Sequence, residues 1–104
     1  MSLDLTRAVR DKKNRIKIKV SCGYSNQQQK WVVTAWTLQE IQHGNKVGWA
    51  YLPVQRTWLP AYPGAEEKAR LIEDMASLFT MMLDDMGMGY VRVEVKKKEV
   101  IHGR

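Results

Sequence analysis

The chain has one cysteine, one phenylalanine, two histidines and three prolines in 104 residues, and no long apolar run. Each shortage excludes something. A lone Cys22 rules out an intramolecular disulfide framework and favours a reducing compartment. Cys22, His43 and His102 are too few and too far apart in sequence to give a recognisable zinc spacing. His43 falls in a turn-forming stretch and His102 close to the C-terminal end, so neither is placed as a general base. No nucleotide-binding glycine motif is present, and Gly87-Met88-Gly89 stops a helix before a strand, the reverse of a phosphate loop. Asp84 and Asp85 are adjacent, about 100° apart around a helix, which separates them as an acid–base pair. No segment reaches the ~18–20 apolar residues needed to cross a bilayer, and residues 1–14 lack the apolar stretch of a signal peptide. The expectation is a cytoplasmic, non-enzymatic protein with no catalytic residues, no cofactor, no metal and no membrane partner.

Charge and large aromatics are abundant. The net charge is +6, but it is unevenly spread. The helix expected near residues 64–86 carries six of the eleven acids (Glu66, Glu67, Glu73, Asp74, Asp84, Asp85) and only two of the seventeen bases (Lys68, Arg70). That leaves fifteen bases against five acids elsewhere, with much of the excess on two segments that alternate like strands. Such a balance favours an acidic partner, nucleic acid foremost. Four Trp and four Tyr exceed what so small a core needs; both residue types join an apolar face to a polar tip and suit interfaces.

Periodicity supplies the elements. Arg15–Cys22 alternates strictly, with Ile16, Ile18, Val20 and Cys22 on one side and Arg15, Lys17 and Lys19 on the other, which predicts a half-buried strand. Residues 23–29 are polar and turn-like. Lys30 to about Ile41 and Val47 to Val54 form a second and third strand across a His43–Lys46 turn, both apolar on both faces. Pro53 cannot donate to a ladder, so the third strand ends there or lies at an edge. Residues 55–64, with two prolines, a glycine, Trp58 and Tyr62, read as a stiff surface loop. Leu71, Ile72, Met75, Leu78, Phe79, Met82, Leu83 and Met86 make one stripe at a 3.6 period, giving a helix from Ala65 to Met86 that Gly87 and Gly89 stop. Tyr90–Lys96 is the last strand, with Val91, Val93 and Val95 expected inward and Arg92, Glu94 and Lys96 outward.

The order β-β-β-α-β predicts a two-layer α+β domain over residues 15–96, a mainly antiparallel four-stranded sheet with one amphipathic helix on one face. Residues 1–14 are expected as a basic arm or short helix, and residues 97–104 as a basic tail. A right-handed crossover through the helix places the last strand beside the first, for a strand order of 4-1-2-3. The sheet's second face then needs a cover: the loop at Trp58–Tyr62, a second copy of the chain in a homodimer, or a ligand.

Two binding roles follow. Cations at Arg15, Lys17, Lys19, Arg92, Lys96, Lys97 and Lys98, with Trp31, Trp36, Trp49 or Tyr51 as stacking platforms, would suit nucleic acid, single-stranded in preference. Alternatively Trp58, Leu59 and Tyr62, on a prestiffened loop, would form a protein-interaction surface for an inhibitor or adaptor. Against both stands the plain reading that a solvated strand face is charged anyway and that the tryptophans belong to the core.

Overall fold

The computed structural model describes residues 5–94. Within it the chain forms β1 (Arg15–Ser25), β2 (Lys30–His43), β3 (Lys46–Leu59), α1 (Ala65–Asp85) and β4 (Gly89–Arg92). The sheet order is β3-β2-β1-β4, with β4 parallel to β1 and the other pairs antiparallel. This is the expected α+β architecture and strand order, produced by the α1 crossover returning β4 to the side of β1.

The alternation in β1 sorts its side chains as polarity demands. Ile16, Ile18, Val20 and Cys22 are buried beneath α1, and Lys17 is exposed on the opposite face. Val33 and Ala35 of β2 join them, together with Met75, Ala76, Phe79 and Leu83 of α1. The buried line of α1 is narrower than its apolar stripe, because Leu78 and Met86 are about half exposed. The helix ends in a Schellman arrangement, with Gly87 in the left-handed region (φ 71°), its N–H donating to the Asp84 carbonyl and the Met88 N–H donating to the Leu83 carbonyl.

Three sequence expectations need correction. First, β3 does not stop at Val54 but continues to Leu59, so the loop expected at 55–64 shrinks to residues 60–64. Ala35 pairs with Gln55 and Trp36 with Pro53, so Val54 is an extra residue, a β-bulge. Pro53 is tolerated because β3 is an edge strand. Second, residues 5–14 are neither a free arm nor a helix. Leu5 is buried, the Val9 N–H donates to the Leu38 carbonyl and the Glu40 N–H to the Arg7 carbonyl. The segment takes over pairing with β2 beyond the last β1–β2 partner pair, Ile18 and Thr37. Third, β4 has the opposite phase. Tyr90 pairs with Ile16 and Arg92 with Ile18, which puts both on the helix side, while Val91 lies beside Lys17. Tyr90 packs against the core and offers it more apolar surface than a valine.

Candidate nucleic-acid interface

The face of the sheet turned away from α1 is assembled mainly from three strands, with Val91 of β4 beside Lys17 at its edge. β1 contributes Arg15, Lys17, Lys19, Ser21 and Gly23; β2 contributes Lys30, Val32, Thr34, Trp36 and Leu38. From β3 come Val47, Trp49, Tyr51 and Pro53 on one side of the bulge and Arg56 and Trp58 on the other. Trp49 and Trp58 are nine residues apart, and in an unbroken strand an odd separation sets two side chains on opposite faces. The additional residue at Val54 restores them to the same one, while Val54 itself packs against the core.

Two of the four rings here, Trp36 and Tyr51, are held by named partners. The Trp36 Nε1–H donates to the Ser21 hydroxyl at 2.9 Å. Lys19 Nζ lies 4.3 Å from the Tyr51 ring centroid and 5.6 Å from that of Trp36, a cation–π contact bridging β1 to β3 across β2. Trp49 remains 66 % exposed and Trp58 41 %. β1, β2 and β3 place one carboxylate on this face, Glu40, which pairs with Trp49 toward its far end.

The expected cations have different fates. Lys17 stays exposed on the open face and Lys19 is partly buried there against the rings. Arg15 shares the face but is tied to Asp11, which accepts hydrogen bonds from its backbone N–H and its Nε at 2.9 Å and lies 2.8 Å from its Nη2. Those bonds, the backbone one foremost, hold the Asp11 carboxyl below its ordinary range. Arg92 does not join the face at all. It reaches from β4 to α1 and meets both Glu73 carboxylate oxygens, one of them at 3.0 Å, lowering the acid's pKa and raising its own. Lys96, Lys97 and Lys98 lie outside the described residues. Sequence reasoning missed Arg56 and Trp58 as members of this face because they lie past the bulge in a segment that reads as a loop, and passed over Lys30 although it heads the alternating run of β2.

Trp31 is the one stacking candidate that points the other way. It packs on the helix side between Tyr24 and Tyr62, with ring centroids 5.6 and 4.9 Å away, and Lys68 Nζ is 5.9 Å from its ring. The 60–64 loop therefore packs at the end of the core and is not a cover for the open face. The protein-interaction trio is divided by the same geometry. Leu59 and Tyr62 gather near Trp31, while Trp58 stands on the opposite face.

Cys22 is buried, and desolvation pushes its thiol pKa up, away from nucleophile chemistry. Among the described residues no cluster of three His, Cys, Asp or Glu side chains could hold a metal ion, and no helix is long and apolar enough to cross a membrane. No protein-family model matches the chain, and no curated protein or solved structure matches it either.

Proposed function

We propose that the protein binds single-stranded nucleic acid across the open face of its sheet. One observation carries this reading: Trp36, Trp49, Tyr51 and Trp58 share a surface with Lys17, Lys19, Lys30 and Arg56, and β1, β2 and β3 add a single carboxylate to it. Rings that project from a sheet stack on bases only when those bases are unpaired, which favours a single strand over a duplex.

The magnitudes divide the work. Four backbone cations would give a salt slope of about −2.8, at about 0.7 per neutralised phosphate for single strands. That is a modest electrostatic contribution. Stacking, at ~1–3 kcal/mol per base, is the larger source of affinity if two or more rings engage. Arg15 and Arg92 add little, since each already has a carboxylate partner.

The test is fluorescence anisotropy with labelled single- and double-stranded oligonucleotides at several salt concentrations. The single strand is expected to bind more tightly, with a slope near −3. A double substitution, Lys17→Glu with Arg56→Glu, is expected to flatten the slope by about 1.4. Equal affinity for duplex, or binding indifferent to both substitutions, would refute the reading.

A further inference from the structure

At the β1–β2 hairpin end of the open face lies a hollow of about 300 Å³. Trp36 and Trp58 form its walls, Gly23 and Thr34 lie beneath, and Gln28 and Arg56 stand at the rim. Trp58 pairs with Val32, four residues along β2 from Trp36, so the walls rise from positions roughly 13 Å apart along the sheet. Among the described residues no carboxylate lines the space.

Two features point to an occupant. The first is that Trp36 is pinned through Ser21, so one wall is preorganised and loses little freedom on binding. The second is Gly23. It sits within β1, outside the left-handed region, and a side chain built on it would meet nothing within 4 Å. Backbone geometry does not demand glycine there, and glycine inside a strand weakens it, while it also marks places where a ligand approaches closely. What the missing side chain leaves is open space in the floor of the hollow, in the row that Val32 and Trp58 share.

The chemistry of the lining selects the ligand. Two aromatic walls suit a flat ring, the Gln amides offer both donors and acceptors to its edge, and Arg56 supplies a cation for an attached phosphate. We propose that this hollow takes one nucleobase of the bound strand and is where a base preference is set. The inference rests on the open-face reading and adds a specific subsite to it.

The test fills the hollow. Gly23→Leu places a side chain in the open space without backbone strain. Wild-type and variant proteins would be titrated with single-stranded 12-mers of each base, at several salt concentrations, alongside thermal melts. Trp58→Ala serves as a second variant that empties one wall from an exposed position. The wild type is expected to prefer one or two bases. Both variants should lose at least about fivefold affinity for the preferred oligomer and bind all four alike. Gly23→Leu should keep the salt slope and a melting temperature no lower than wild type. Unchanged affinity and preference in both variants would overturn the subsite and leave the open-face reading intact. Oligomers that bind none of the three proteins would defeat both.

Discussion

Trp36 and Arg92 show at the level of single side chains how partners decide a residue's role. Trp36 is held by Ser21, so Ser21→Ala should destabilise the fold by about 0.5–1.5 kcal/mol and loosen the indole. A urea melt reads the first effect and near-ultraviolet circular dichroism the second; an unchanged spectrum would mean the hydroxyl does not orient the ring. Arg92 was legible as a charge on an alternating segment but not as a helix-side residue. Its partner, Glu73, is nineteen residues away on another element, and strand alternation carries no information about it. That pair sets a pH dependence. The folded state holds the Glu73 carboxyl below its ordinary value of 4.5, chiefly through the Arg92 hydrogen bond. The stabilisation is thus complete above that value and is lost as pH falls through the lower folded one. Glu73→Gln should therefore be less stable than wild type at pH 7, with the difference shrinking toward pH 3. A difference that stays constant across this range in urea melts would show that the ion pair contributes nothing.

β3 is the element on which the account turns. Its first half is readable from Val, Trp and Tyr, but Pro53 and the break in alternation at Val54 look like an end of strand. The bulge joins them into one strand of fourteen residues, since an edge strand tolerates both a missing N–H and an unpaired residue. Removing Val54 would leave Trp49 and Trp58 eight residues apart, an even separation that keeps both on the open face of a regular strand in unchanged register with β2. The expected result is oligonucleotide binding retained, with a melting temperature changed by the loss of Val54 from the core edge. Inserting one alanine between Gln55 and Arg56 would instead turn Arg56 and Trp58 toward the helix side and is expected to weaken binding. An insertion variant that binds normally would mean the two halves of the face do not act together. β1 and α1, by contrast, were legible almost residue by residue, because each has one apolar side and keeps its period throughout. β4 was not, since four residues are too few for a pattern to outweigh the gain from burying Tyr90.

At the scale of the molecule, one helix covers one side of the sheet, and among the described residues no second layer covers the other. Phe79 is fully buried at the centre of the covered side, and Phe79→Ala should cost ~3–5 kcal/mol in a denaturant melt. A much smaller loss would place the centre of the core elsewhere. The two-layer arrangement and the strand order follow from element sequence and crossover handedness, both visible beforehand. Membership of the open face was visible only in part, because it depends on the bulge and on which carboxylates claim Arg15 and Arg92. The most direct measurement uses the four indole N–H signals in a two-dimensional 1H–15N spectrum, titrated with a single-stranded 12-mer. The signals of Trp36, Trp49 and Trp58 are expected to shift, and that of Trp31, enclosed between Tyr24 and Tyr62 on the helix side, to stay in place. A shift of Trp31 while the other three hold still would contradict the assignment of the open face as the binding surface.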